Sequence, residues 1–244
     1  MIEGSTVFLT GANRGIGKAF VAGLLAAGAK KIYAAARNPD SLAELVAGGS
    51  GRVVAVQLDV TDADGISAAA AAAQDVDLLI NNAGVAAFEG LVAAGGVESA
   101  RQEMEVNYFG VLNLVRAFSP VLANNGGGSI INMASVASYV NFPMLGSYSA
   151  SKAAVHSLTQ GIRAELAAQG TRVFGVYPGP VDTDMAAGFP EPKPDPAQVV
   201  RNVFEAIEAD EEDIHPDPKA VELRGGLRND PKGVEKMIGE MLPT

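Results

Sequence analysis

The chain has 244 residues, 48% of them hydrophobic, enough for one sizeable core and suited to a single α/β domain over 1–244. A net charge of −10 and a pI near 4.7 repel phosphate backbones, which argues against nucleic acid and anionic membranes as partners and for a small molecule. With no cysteine, disulfides, thiolate chemistry and cysteine-based zinc sites are excluded.

At its start, MIEGSTVFLTG has no basic stretch followed by an apolar one, and no run of about 18 apolar residues follows anywhere. A cytoplasmic location is the resulting expectation. Short apolar runs that read as buried strands recur at Thr6–Leu9, Lys31–Ala35, Val53–Leu58, Val76–Ile80, Ser129–Met133 and Arg172–Val176. Between them lie helical stretches at Gly15–Ala27, Pro39–Ala47, Ile66–Ala73, Ser99–Ala123, Ser149–Ala168 and Ala197–Ala209. The alternation predicts a doubly wound parallel β-sheet with helices on both faces, a Rossmann fold. The alanine run Ser67–Ala73 reads as a surface helix, and the acidic run Asp210–Asp213 as a solvated helix end.

The first strand runs into Thr10-Gly11-Ala12-Asn13-Arg14-Gly15-Ile16-Gly17 and then directly into a helix. A phosphate approaching backbone N–H groups at a helix N-terminus needs this loop free of side chains, which assigns Gly11, Gly15 and Gly17, with Asn13, Arg14 and Ile16 between them, to a dinucleotide. Where an NAD enzyme places an acid to hold the ribose 2′-hydroxyl, this chain reads Ala34-Ala35-Ala36-Arg37-Asn38. With no acid there, the guanidinium forks of Arg14 and Arg37 suit a 2′-phosphate, so NADP(H) is expected over NAD(H); the bland alternative leaves both arginines solvated. Asp59 and Val60 follow the third strand, where the Asp also suits a simple turn. Asn81-Asn82-Ala83-Gly84 closes the fourth.

After the fifth strand comes Ser135, and thirteen residues later Tyr148-Ser149-Ala150-Ser151-Lys152 opens a helix. At i and i+4, Tyr148 and Lys152 share one helix face with Cβ atoms about 5–6 Å apart. A nearby ammonium favours the phenolate of Tyr148, which would let it exchange a proton near neutral pH. Ser135 ends a strand at the edge where open parallel sheets hold ligands. The sixth strand is followed by Pro178-Gly179-Pro180-Val181-Asp182-Thr183, and then by the proline-rich Gly188–Pro196. Residues 186–196 read either as a substrate lid or as a stiff linker.

This set of motifs, from the glycine loop through Asn107 to Pro178-Gly179, resembles the short-chain dehydrogenase/reductase family over nearly the whole chain. The glycine spacing, Gly-x-x-x-Gly-x-Gly, is similar to that family's and one residue off the commoner dinucleotide fingerprint. The resemblance implies that Ser135 orients a carbonyl or hydroxyl oxygen, that Tyr148 is the general acid/base, and that Lys152 holds the nicotinamide ribose and lowers the Tyr148 pKa. It implies an adenine contact from Asp59 and Val60, a cofactor wall from Asn82, Ala83 and Gly84 with Asn82 near the ribose and Asn81 more structural, and a carboxamide contact from Pro178, Gly179, Val181 and Thr183. Asn107 would hold a water linking Lys152 to solvent; without the resemblance, a packing or kink role is equally open. The family usually forms homodimers or homotetramers through the helices of Asn107 and Tyr148, where Ile162 and Leu166 serve an interface or the core.

The activity implied is oxidoreduction between a carbonyl and an alcohol, with Val85–Phe88, Val136–Leu145 and Met185–Phe189 facing the substrate. The apolar members Val140, Phe142, Met144, Leu145, Met185 and Phe189 suggest a carbonyl reductase for hydrophobic or aromatic compounds. Among rivals, a serine hydrolase lacks a Gly-x-Ser-x-Gly elbow around Ser135. A catalytically silent NADP(H) redox sensor would have no use for intact Ser135, Tyr148 and Lys152, and relatives that do elimination or dehalogenation tend to alter the glycine loop or the lysine. Neither His156 nor His215 has a neighbour in sequence that suggests metal or triad chemistry.

Overall fold

A computed structural model describes residues 2–190 and 192–243. Seven parallel strands, β1 (Thr6–Thr10), β2 (Lys31–Ala36), β3 (Val53–Gln57), β4 (Leu78–Asn81), β5 (Ser129–Met133), β6 (Arg172–Val176) and β7 (Asp213–Ile214), form one sheet in the order β3-β2-β1-β4-β5-β6-β7. The chain winds one way from β1 to β3 and the other way from β4 onward, so the crevice between β1 and β4 lies at the switch point where such sheets bind ligands.

Alternate residues of each strand point to opposite faces, and apolar side chains fill both. One layer joins Val7, Leu9, Ile32, Ile80 and Ile131 to α1 (Gly15–Ala26) and α7 (Pro196–Glu208), through Phe20, Leu24, Val200 and Val203. The other joins Phe8, Leu79, Ile130 and Val173 to α3 (Ala63–Ala72), α5 (Gly110–Asn124) and α6 (Gly146–Leu166). Ile162 is buried in that second layer and Leu166 packs against it, so within one chain both belong to the core. The first connection after β2 is a 3-10 turn followed by the short α2 (Ala43–Gly48), in place of one helix.

The expected helix from Ser99 to Ala123 is a longer, composite one: α4 (Glu98–Glu103), a π-helical turn (Met104–Phe109) and α5. By length and mean hydropathy Glu98–Asn124 is also, among the described residues, the one helix apolar enough to cross a membrane, although it holds no unbroken apolar run of that length. Its apolar side, including Val111, Leu114, Phe118 and Leu122, is spent on the sheet.

Three elements were not foreseen. The residues read as a solvated helix end lead into β7, with Asp213 accepting from Arg163 at 2.9 Å. Beyond it come α8 (Pro218–Asn229) and α9 (Pro231–Gly239). Like α7, each begins with an Asp cap followed by Pro at the first helical position, a start that satisfies one amide with the carboxylate and removes another.

Candidate active site

All of Gly11, Asn13, Arg14, Gly15, Ile16, Gly17, Arg37, Asp59, Val60, Asn82, Ala83, Gly84, Ser135, Tyr148, Lys152, Pro178, Gly179, Val181 and Thr183 line one cavity of about 560 Å³ at the carboxyl ends of the strands. Of the catalytic and cofactor-binding residues expected from sequence, only Asn107 lies outside its lining, fully buried behind it.

The glycine loop is shaped by close backbone approach. Gly11 has φ +64°, and a Cβ there would sit 2.9 Å from the Ala83 Cα; a Cβ on Gly17 would collide with the Gly11 carbonyl. Arg14 caps α1 with extended backbone and no side-chain acceptor, and no acid lies in the first turn, so the N–H groups there keep their capacity to bind an anion. Arg14 and Arg37 are both solvent-exposed at the cavity edge.

Asn82 serves the loop itself. Its amide donates to the carbonyls of Thr10 and Gly11 at 3.0 Å each, while Thr10 Oγ1 accepts from the N–H groups of Asn82 and Ala83. The side chain expected near the ribose is thus a brace between β1 and β4. Asn81 is buried in a ladder, donating to Asn132, which in turn donates to Thr159. Asp59 lines the cavity and also opens a turn, one carboxylate oxygen accepting from both the backbone and the hydroxyl of Thr61. Those bonds hold its pKa below the ordinary value against burial, with Arg37 helping.

Ser135, at the end of β5, caps a 3-10 turn over Val136–Ser138, and its Oγ accepts from Ala137 N–H at 3.1 Å. Ser138 Oγ donates to the Lys152 carbonyl at 2.8 Å, tying the serine turn to the first turns of α6. Lys152 is buried, its Nζ donating to the Met133 carbonyl at 2.7 Å and lying 5.7 Å from the Tyr148 ring centroid. Burial lowers its pKa to about 8. Burial raises the Tyr148 phenol to about 12, with Ser135 pulling down by hydrogen bonding and the Glu103 carboxylate pushing up. The ammonium is committed to the Met133 carbonyl at the end of β5, and desolvation dominates both groups.

Asn107 sits in the π-helical turn, a geometry that often marks functional sites. Its Oδ1 accepts from Val85 N–H, and its Nδ2 donates to the Val85 carbonyl and to Ser151 Oγ, each at 2.9 Å. These bonds lock the loop after β4 to α6, in keeping with the packing role that the sequence left open.

Val85, Ala86, Phe88, Val136, Ala137, Phe142, Leu145, Met185, Ala186 and Phe189 form the apolar end of the cavity. Val140 and Met144 do not reach it; they belong to a satellite cluster with α8 and α9. The proline-rich segment is a wall held at both ends: Asp182 N–H donates to the Pro194 carbonyl, Lys193 Nζ to the Ala186 carbonyl, and Phe189 meets Phe88 with ring centroids 6.0 Å apart. Glu191, inside that expected lid, lies outside the described residues.

Two site-supporting acids were missed in sequence. Asp217 is buried, caps α8 through Ala220 N–H and accepts from Gly179 N–H at 2.8 Å, fixing the turn after β6 from behind. Its Asp-Pro pair was a readable signal. Glu103 is buried beneath Ala87, and its place in the polar string Glu98–Glu105 gave no sign of that.

A family model described as short chain dehydrogenase matches residues 5–194. Galactitol 2-dehydrogenase (L-tagatose-forming) of Cereibacter sphaeroides is 38% identical over 192 residues, 75% of this chain and 74% of that one. The 3-oxoacyl-[acyl-carrier-protein] reductase of Synechocystis sp. is 34% identical over 75% of this chain and 77% of its own. Among solved structures, a short chain dehydrogenase from Burkholderia cenocepacia in complex with NADP superposes with TM-score 0.93 at 42% identity, covering 98% of both chains. A Burkholderia phymatum homologue in complex with NAD gives TM-score 0.83 at 28% identity over 100% of this chain and 97% of its own.

Proposed function

The chain belongs to the short-chain dehydrogenase/reductase family, and from that premise we propose that it uses NADP(H) to interconvert a ketone or aldehyde with an alcohol, acting on apolar or aromatic compounds. The observation that carries this reading is the single cavity that joins Ser135, Tyr148 and Lys152 to the glycine loop and its two arginines.

The residues present fit a nicotinamide dinucleotide. The loop leaves room where a Cβ on Gly11 or Gly17 would strike backbone, and α1 offers uncapped N–H groups to a diphosphate. Arg14 and Arg37 favour the 2′-phosphate form, and the second strand ends without the acid that selects NAD. Support also comes from the Burkholderia cenocepacia homologue, which holds NADP, while the more distant one holds NAD.

When bound, the cofactor supplies or accepts hydride at a carbon of the substrate. The chain's own part is to place and protonate the oxygen. Ser135 Oγ donates to the substrate oxygen, and Tyr148 gives it a proton in reduction or removes one in oxidation. Lys152, beside Tyr148, supplies a positive charge that stabilises the phenolate left after proton donation. The apolar wall from Phe88, Phe142, Leu145, Met185 and Phe189 excludes water and favours an apolar substituent.

The test is purified protein with NADPH and a panel of ketones, aldehydes and sugars, followed by cofactor absorbance. Apolar or aromatic carbonyls are expected to be reduced fastest. Oxidation of NADPH by no member of the panel would leave a silent nucleotide-binding protein instead.

A further inference from the structure

Glu103 ends α4 behind the apolar wall and is only 1% exposed. One carboxylate oxygen accepts from Ala87 N–H at 2.7 Å. The other is buried and has no hydrogen-bond partner among the described residues. One helical turn later, Asn107 holds both the N–H and the carbonyl of Val85. Two side chains of one helix thus clamp the strand of wall that runs from Val85 to Phe88, whose Val85, Ala86 and Phe88 line the cavity.

A neutral amide at position 103 would accept the same hydrogen bond and set an unpaired N–H group where the unpaired oxygen now lies, so it differs from the carboxylate chiefly in charge. The clamp on Ala87 therefore does not need the charge. What the charge does reach is Tyr148. The groups acting on that phenol are the Ser135 hydroxyl from the end of β5, Lys152 from its own helix, and Glu103 from α4, which packs against α6. Lys152 is held towards Met133, whereas the carboxylate opposes a second negative charge at Tyr148.

Resting on the oxidoreductase reading above, we infer that Glu103 is a positioning residue that fixes the Val85–Phe88 wall and sets the centre to donate a proton to substrate oxygen, favouring carbonyl reduction over alcohol oxidation. It touches no reacting atom; it acts through Ala87 and through its field at Tyr148.

Two variants separate these effects. Glu103→Gln keeps an acceptor for Ala87 and removes the charge, while Glu103→Ala removes both. Hydrogen exchange of the 84–91 peptide, measured on the purified protein without substrate, is expected to accelerate roughly tenfold in Glu103→Ala and to stay near wild type in Glu103→Gln. With NADPH and a carbonyl, and with NADP and the matching alcohol, the kcat/KM profiles of Glu103→Gln should move about one pH unit towards acid, so that oxidation gains on reduction at a fixed pH. Unchanged exchange in Glu103→Ala, or Glu103→Gln profiles that superimpose on wild type, overturns the inference. Failure of wild type to turn over any carbonyl would instead overturn the activity, with the exchange measurement still reading the clamp.

Discussion

The ammonium of Lys152 donates to the backbone carbonyl of Met133 at 2.7 Å, anchoring the helix that carries Tyr148 to the last residue of β5. That bond answers one of the lysine's three donors in a place where only 5% of the residue is exposed. Charge is held there for chemistry at the expense of stability, as burial of an incompletely paired cation requires.

The fall of the Lys152 pKa from 10.5 to about 8 corresponds to roughly 3 kcal/mol lost at neutral pH. Between those two values the unfolded chain binds a proton that the folded chain does not, so stability is regained as pH rises through that window. Lys152→Met, at the cost of leaving the Met133 carbonyl unpaired, should therefore be inactive yet more stable at pH 7, by roughly 2 kcal/mol or about 5 °C in Tm. The gap from wild type should narrow towards pH 10. Thermal unfolding of both proteins across that range checks it; a variant less stable at pH 7 would refute the argument.

Tyr148→Phe removes the proton donor but keeps the ring that packs beside Val136 and Phe142. Turnover should fall by about a thousandfold or more, while NADPH binding, followed by fluorescence titration, should stay within a few-fold of wild type. A near-normal rate would take Tyr148 out of the mechanism.

On the proposed NADP(H) reading, cofactor choice rests on Arg14 and Arg37. Each charge-assisted bond to a 2′-phosphate is worth about 1.5–3 kcal/mol, so Arg37→Asp should raise the KM for NADPH by roughly ten- to a hundredfold and leave that for NADH little changed or lower. Steady-state kinetics with both cofactors decides it. A wild-type preference for NADH would remove the premise.

Features written in local backbone chemistry were legible in the sequence: the glycine loop, the strands Ser129–Met133 and Arg172–Val176, and the i, i+4 pairing of Tyr148 with Lys152. Features set by distant partners were not. Glu103 looks like an ordinary helix residue until Ala87 folds over it, the hold of Asn107 on Val85 has no local signature, and a π-helical turn changes hydrogen bonding without changing the apolar pattern. Strand β7 is two residues long, too short for any period to show, and is held by pairing with Gly175 and Val176. The starts of α8 and α9 are a different matter, since Asp217-Pro218 and Asp230-Pro231 repeat the signal that opens α7.

Gly17→Ala tests the loop. The new methyl would collide with the Gly11 carbonyl and crowd the Asn82 amide, so α1 must shift away from β1. A destabilisation of roughly 2–3 kcal/mol is expected, with NADPH affinity weakened at least about tenfold because the N–H groups of the helix start no longer converge. Calorimetry and cofactor titration measure the two effects. Wild-type affinity in this variant would argue against diphosphate binding at the loop.

Both histidines of the chain meet in one aromatic cluster behind the site. His215 stacks on Tyr139 and Tyr177 with ring centroids 5.9 and 5.6 Å away, and His156 shares a 2.7 Å hydrogen bond with Tyr177. Burial lowers the pKa of each below the ordinary 6.5, and Arg224, over the Tyr139 ring, adds to it. As pH falls below 6.5 the unfolded chain takes up protons that the folded cluster resists, so stability present above that value is lost on acidification. Asp59 and Asp75, whose pKa values are also lowered, act only below their ordinary 3.8 and leave this window clear. His215→Phe, which preserves the stacking surface, should reduce the loss of Tm between pH 7.5 and 5.5, and adding His156→Gln should remove most of what remains. An acid slope unaltered in His215→Phe would mean that the cluster is not what makes the fold acid-sensitive.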